Sequence, residues 1–305
     1  MLLNGIINIY KEKGFTSHDV VAKMRGILNI KKIGHTGTLD PEAEGVLPVC
    51  IGKATKVVDL IVDKDKTYEA VLKLGIVTDT QDMTGNIIRT SPVEVDLPHI
   101  QNAVEKFIGG YEQIPPMYSA IKVNGKKLYE LARQGKEVER SSRRVMIYNI
   151  KILDYNPGEH EVKLQVDCGK GTYIRTLLHD IGNVLGCGGV MKSLLRTRVG
   201  SFDISGALRL REIEERAKNG TINEHIVPID EIFASYPKVI TDSKYDKMIY
   251  NGNAFSFKHL FFSPGLNNVT DEAYFVRVYD SKGVFVGVYR YEPDTEKFIV
   301  QKMFM

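Results

Sequence analysis

The chain has 305 residues, 43% of them hydrophobic, and a formal net charge of +3. That length can bury a sizeable core and suggests one large domain plus a small one, while so slight a charge identifies no nucleic-acid partner by itself. Cys50, Cys168 and Cys187 are odd in number and lack metal-type pairing, the N-terminus has no long apolar region, and no stretch approaches membrane-spanning length. These features predict a soluble, reduced, cytoplasmic protein with no membrane association.

Gly5 to Lys11 reads as a strand. KEKGFTS follows, with Thr16 placed to cap a helix that carries Val20, Val21, Met24, Ile27 and Leu28 at helical spacing. The next stretch, Ile33 to Val49 (IGHTGTLDPEAEGVLPV), organises the rest of the chain. Gly34, Gly37 and Gly45 permit positive φ or close approach, and Pro41 pushes Asp40 into extended backbone. Asp40 is then either an aimed carboxylate or part of an ordinary Asp-Pro surface turn. Thr67 to Leu74 alternates, with Tyr68, Ala70, Leu72 and Leu74 on the apolar side, so pattern alone makes Tyr68 a core tyrosine. In the following TDTQDMTG, Asp82 is as easily a turn residue as a ligand.

Pro115 to Arg144 is polar, and from Lys122 onward it holds eight basic and three acidic residues. Such a run is a solvated face, or a lobe that grips an RNA backbone with Tyr118 and Tyr129 available for stacking. Met146–Ile152 and Val162–Cys168 alternate as strands. CGKGTYIRTLLHDIG then opens a helix whose buried stripe is Ile174, Leu177, Leu178, Ile181 and Leu185; Arg175 lies off that stripe, where solvent is the default. In VMKSLLRTRVGSF, Leu194 reads as ordinary strand burial. Arg209 to Lys218 is a charged helix. Beyond Pro237 come short strands at 275–279, 284–290 and 297–301, a hairpin plus one strand.

Several of these segments together resemble tRNA pseudouridine synthases of the TruB type. The central loop has nearly every fixed position of that family: Gly34, His35, Gly37, Thr38, Leu39, Asp40, Pro41, Ala43, Gly45 and Leu47. KEKGFTS resembles the first motif, with Glu12 where the family usually has proline. KTYEA, TDTQDMTG, IPPMYSAIKVNGKKLYELARQG, GTYIRT and the Leu194–Arg196 stretch extend the likeness over about residues 5–230.

The resemblance implies an α/β (α+β) fold. Residues 1–235 would form a pseudouridine-synthase-like catalytic domain with a mixed, largely antiparallel sheet and a basic RNA-gripping insertion near 115–144. Residues 236–305 would form a small all-β PUA-like domain. The implied activity is isomerisation of uridine 55 in the T loop of tRNA, through base flipping. Asp40 would be the catalytic carboxylate, Arg175 its charged partner, and Tyr68 the ring that packs on the target base. Tyr173 and Leu194 would line the pocket, and His35 would fill the space left by the flipped base. Lys170, Arg143 and Arg144 complete the expected substrate contacts.

An ionised aspartate in a closed pocket needs a fixed positive neighbour to hold its pKa down, and Arg, with its permanent charge and rigid fork, suits that role. The isomerisation needs no cofactor. The sequence also lacks a phosphate-cradling loop, a dinucleotide glycine fingerprint and a His-Glu metal motif, so neither cofactor nor metal is expected. The expected partner is the T arm of tRNA, bound by a monomer with no obligatory protein partner. Two rivals share parts of the pattern: a guide-RNA-dependent relative working in a ribonucleoprotein, and a non-catalytic RNA-binding protein, which would not require Asp40.

Overall fold

The computed structural model describes residues 3–119, 121–123, 125–263 and 272–305, except the side chain of Lys122. β1 (Gly5–Lys11) is an almost wholly buried run that leads into α1 (Ser17–Leu28). Thr16 and Asp19 cap α1 reciprocally, each side chain accepting from the other's backbone N–H, and Val20, Val21 and Met24 form its buried stripe. β2 (Ile33–His35) and β3 (Glu44–Ile51) bracket the glycine-rich loop. Pro48 within β3 has no N–H to give a neighbouring strand. It stands where β2 stops, and its carbonyl accepts the N–H and hydroxyl of buried Thr36 at 3.1 and 3.0 Å.

After the short α2 (Val58–Val62), β4 (Lys66–Leu74) buries Tyr68, Ala70, Leu72 and Leu74 and leaves Glu69, Val71 and Lys73 half-exposed, as its alternation predicts. The hairpin of β5 (Ile76–Thr78) and β6 (Ile87–Thr90) precedes α3 (Leu97–Glu105) and β7 (Gly109–Gln113). The basic segment folds into the two-residue strands β8 (Lys122–Val123) and β9 (Lys126–Lys127) and the short helix α4 (Leu128–Ala132). β10 (Arg143–Asn156) is longer than its alternation suggests, because irregularities after Ile147 and Ile152 let it bend while staying paired with β11 (Glu161–Cys168). α5 (Ile174–Val184), β12 (Gly189–Val199), β13 (Phe202–Asp203) and α6 (Leu210–Lys218) complete this part.

These strands form a nine-stranded sheet in the order β1-β3-β12-β4-β11-β10-β7, with β2 on β3 and β13 on β12. Among the described residues its pairings are antiparallel except for β3 with β12. α1 and α6 cover the β1–β3 end, where Met24 and Ile213 pack with Ile7, Ile9, Leu47 and Val49. α3 and α5 cover β4, β10 and β11. The chain is therefore a mixed α/β protein with a largely antiparallel main sheet.

The C-terminal region is richer than a hairpin plus one strand. β14 (Lys238–Thr241), α7 (Asp246–Tyr250), β15 (Leu260–Phe262), β16 (Tyr274–Tyr279), β17 (Phe285–Glu292) and β18 (Lys297–Met303) give a separate five-stranded sheet, ordered β15-β14-β16-β17-β18. β14 is too short to show a period in sequence, and it pairs in parallel with β16, which no local pattern reports. This sheet has its own core around Val239, Phe255, Val276 and Phe298. It also shares a second cluster with the main sheet, in which Val288 and Phe304 join Ile6, Val46, Val57 and Phe233. The three cysteines are buried free thiols, and burial pushes Cys50 and Cys168 up to about 12. No helix among the described residues is long and apolar enough to cross a membrane.

Gly45 has φ +105°, and a Cβ there would meet the backbone carbonyl of Arg196, its parallel partner on β12. Gly45→Ala is expected to destabilise the fold by on the order of 2–4 kcal/mol, from left-handed strain plus overpacking. Gly26, in the last turn of α1 and facing open space, is the counterpart: Gly26→Ala is expected to stabilise by up to about 0.5–1 kcal/mol. Thermal melts of the two variants moving in opposite directions would bear this out.

Candidate functional site

The loop that carries Asp40 is held from behind by the start of α1. Leu39 N–H donates to Ser17 Oγ at 2.9 Å, and the Pro41 carbonyl accepts from Gly14 N–H at 2.9 Å and Lys11 Nζ at 3.3 Å. Lys11 is fully buried and also donates to the carbonyls of Phe15 (2.7 Å) and Glu12 (3.2 Å); burial pushes its pKa down to about 8. Glu12, where the TruB-type pattern has proline, accepts from Arg209 Nη1 at 2.8 Å, next to the start of α6. Side-chain and backbone bonds thus fasten a segment that a pyrrolidine ring would otherwise stiffen.

Arg175 meets Asp40 face on. Its Nε lies 2.9 Å from Oδ2 and its Nη2 donates to Oδ1 at 3.3 Å, a two-point contact. The same guanidinium donates to the carbonyls of Thr80 (3.0 Å) and Tyr118 (2.8 Å), and Nη1 lies 3.6 Å from Asp82 Oδ2. The side chain of Arg175 is only 6% exposed. The helical stripe placed it toward solvent; the segment around Thr80 and the start of the insertion at Tyr118 cover that face instead. Asp82 serves in two ways, its Oδ1 accepting from Thr80 and Thr84 to form a turn while Oδ2 faces Arg175.

Asp40 lies in a contest of charges. Burial and the neighbouring Asp82 push its pKa up; Arg175 and Lys11 pull it down, and the net direction is upward from 3.8. Arg175 pulls the carboxyl down, as expected of it, while the net direction stays upward. The reason is desolvation by the closed loop, added to a second carboxylate within reach of the same guanidinium.

Tyr68 and Leu194 share a buried cluster with the chain neighbours of this pair, whereas Tyr173 and His35 are held by other contacts. Tyr68 (6% exposed), Leu194, Leu39, Ala43 and Ile174 belong to one buried cluster. Burial raises the Tyr68 pKa. Tyr173 is the N-cap of α5 and is gripped through its backbone by Gln113, which accepts its N–H at 2.8 Å and donates to its carbonyl at 3.0 Å. His35 sits half-buried at the end of β2; its Nδ1 accepts from Gly37 N–H at 3.4 Å, and burial lowers its pKa, favouring the neutral ring. Arg196, on β12 opposite Tyr68, is almost fully buried and donates through Nε to the Val46 carbonyl at 2.7 Å.

The expected RNA-contact residues lie further out. Arg143 and Arg144 are exposed at the start of β10, paired with Gln113 and Glu112, so Arg143 is one strand away from the glutamine that holds Tyr173. Lys170 is exposed and pairs with Asp63 at 3.0 Å. In the insertion, Lys127 and Arg133 stand over the Tyr129 ring at 5.4 and 5.5 Å; Ala120, Asn124 and the Lys122 side chain fall outside the described residues. Lys11, Gln113, Thr80 and the Tyr118 carbonyl escape a reading of the sequence. Lys11, Thr80 and Tyr118 do lie within the motifs KEKGFTS, TDTQDMTG and IPPMYSA, but their contacts are tertiary, and Gln113 left no local signature at all.

Two family models match the chain: "TruB family pseudouridylate synthase (N terminal domain)" over residues 25–174 and "tRNA pseudouridylate synthase B C-terminal domain" over residues 175–234. A protein named tRNA pseudouridine synthase B from Lachnoclostridium phytofermentans is 53% identical, covering 99% of this chain and 100% of that one. The chain belongs to the TruB family of pseudouridylate synthases. Its members of the same name from Alkaliphilus oremlandii and Clostridium novyi are 51% and 46% identical, over 82% and 94% of this chain and 82% and 95% of theirs. Among solved structures, a Cbf5-Nop10-Gar1 complex contains a chain with TM-score 0.71 and 28% identity, covering 99% of this chain and 85% of that one. As a TruB-family pseudouridylate synthase the protein is an isomerase.

A carboxyl whose folded pKa is raised costs stability while ionised, and that cost is relieved as pH falls through the folded pKa toward 3.8. Asp40→Asn, which cannot ionise, is accordingly expected to melt at or above the wild-type temperature at neutral pH, with the gap closing near pH 4. Arg175→Ala is expected to lose on the order of 2–4 kcal/mol, less than a fully buried pair because Asp40 remains 38% exposed. Melts across pH check both; a clear drop for Asp40→Asn at neutral pH would mean that Arg175 wins the contest.

Proposed function

We propose that this chain converts uridine 55 in the T arm of tRNA to pseudouridine, with Asp40 as the reacting carboxylate. The observation that carries the reading is the two-point Asp40–Arg175 contact beside a buried apolar cluster that holds Tyr68 and Leu194. The tRNA substrate comes from relatives named tRNA pseudouridine synthase B.

In the reaction the N1–C1′ bond breaks, uracil turns in the pocket, and C5 joins C1′. C5 gives up a proton and N1 gains one, so uridine and pseudouridine have the same atoms and no cofactor is called for. Ionised Asp40, its orientation fixed by Arg175, acts as nucleophile on the uridine or assists departure of the base, and is free again once C5 has joined C1′. The Tyr68 ring holds the freed uracil face-on against the apolar wall of Leu194, with Tyr173 beside it, and a weak acid or base such as the Tyr68 hydroxyl moves the C5 proton.

To enter, the uridine leaves its stack, and the neutral ring of His35 fills the vacated place. The basic segment from Lys122 to Arg144, with Lys170, contacts the RNA backbone, and the C-terminal sheet forms a small PUA-like domain from about residue 236. A chain with its own basic grip supports work as a monomer without an obligatory protein partner.

The test is single-turnover pseudouridine formation on an unmodified tRNA transcript, beside a binding isotherm. Asp40→Asn is expected to bind within a few-fold of wild type and make essentially no pseudouridine. Tyr68→Phe is expected to bind and turn over slowly. Near-normal turnover by Asp40→Asn would overturn the mechanism, and lost binding with an intact fold would make Asp40 a recognition residue.

Replacing Arg143 and Arg144 together with Ala is expected to weaken tRNA binding and flatten its log–log salt slope by up to about one unit per lost phosphate contact. An unchanged slope would remove both from the RNA interface.

A further inference from the structure

Two of the three loop glycines lie against one residue that the proposed reaction leaves unused. A Cβ on Gly45 would run into the backbone of Arg196, and one on Gly37 (φ +137°) would stand 3.8 Å from Arg196 Nη1. The guanidinium is 99% withdrawn from solvent and anchored by Nε to the Val46 carbonyl at 2.7 Å. Its Nη2 is buried without any hydrogen-bond partner. A buried cationic N–H left unmade is costly, so this one needs an explanation from its surroundings.

The surroundings offer one. Arg196 and Tyr68 are direct cross-strand partners of β12 and β4, with side chains on the same face. Thr197 is the extra residue of a bulge, so Arg198 turns to the opposite face, where its Nε donates to Thr67 Oγ1 at 3.0 Å and its Nη2 stands 3.7 Å from Asp167. Arg196 alone is directed at the tyrosine. Arginine has five N–H donors and no acceptor, whereas a phenol has one donor and an acceptor oxygen. Any hydrogen bond between them therefore runs one way.

We propose that Arg196 is a positioning residue for Tyr68: its guanidinium, within reach of the phenol before any base enters, donates Nη2–H to the Tyr68 hydroxyl oxygen and turns the phenol's own proton toward the incoming base. This rests on the reading above that Tyr68 works at the target uracil. The Val46 anchor keeps the guanidinium from following substrate, so the donor is fixed before the base arrives. The positive charge also offsets part of the rise that burial imposes on the Tyr68 pKa.

A double-mutant cycle tests it. Single-turnover pseudouridine formation is measured for wild type, Arg196→Gln, Tyr68→Phe and the double variant, with melts to confirm folding. Arg196→Gln is expected to slow the wild-type background about 10- to 100-fold, and the Tyr68→Phe background by less than about 3-fold, because the oxygen it serves is gone. Arg196→Lys is expected to recover part of the rate.

Equal losses in both backgrounds would overturn the proposal and leave Arg196 as loop support or a direct substrate contact. Should Arg196→Gln fail to fold, the tyrosine-Cζ resonance of Tyr68, assigned by its absence in Tyr68→Phe, is compared between wild type and Arg196→Lys with tRNA bound. Movement of that resonance alone supports the contact; no movement overturns it. A wild-type chain that makes no pseudouridine fails the functional reading itself, and the resonance still decides whether Arg196 acts on Tyr68.

Discussion

One guanidinium joins the parts of this molecule that must meet at the site. Arg175 reaches the glycine-rich loop through Asp40, the turn around residue 80 through the Thr80 carbonyl and Asp82, and the basic segment through the Tyr118 carbonyl. Three segments far apart in sequence thereby share one rigid planar donor array. A lysine could neutralise a carboxylate but could not meet acceptors in several fixed directions. The position tolerates so polar a group because nearly every N–H it buries finds an oxygen.

The same arrangement explains why a strong ion pair coexists with a carboxyl that is hard to ionise. Attraction to Arg175 competes with lost hydration and with the second carboxylate, Asp82, and the unfavourable influences win. A carboxylate held in that balance is less stabilised by its surroundings than one in water, and so retains more of its reactivity. Lys11, itself destabilised by burial, lies on the far side of the loop and contributes to the balance without touching the pocket.

Much of this was legible in the amino-acid sequence, for reasons that can be named. β4 announced itself because its alternation is a property of neighbouring residues, and α1 because Thr16 and Asp19 form a local cap. The central loop was recognisable by its clustered glycines and prolines, whose backbone demands are intrinsic. Arg175 was misjudged by helical pattern alone because what covers it arrives from residues 80 and 118, and its burial became expected only through the resemblance. Gln113 was silent, since a glutamine that clamps a distant backbone looks like any polar strand residue. β14 was missed because its pairing partner lies far along the chain and four residues hold too short a period.

The hydrophobic cluster shared by the two sheets has a consequence for how the protein is made. Ile6 and Val46 belong to strands made well before Val288 and Phe304, which cover them in part. At translation rates of about 5–20 residues per second, that face of the main sheet waits on the order of ten seconds or longer for its cover. During that interval the nascent chain presents an apolar surface next to a forming sheet edge, a state prone to association with other chains. Formation of the strands that carry Val288 and Phe304 is thus a step in completing the cover of the main sheet.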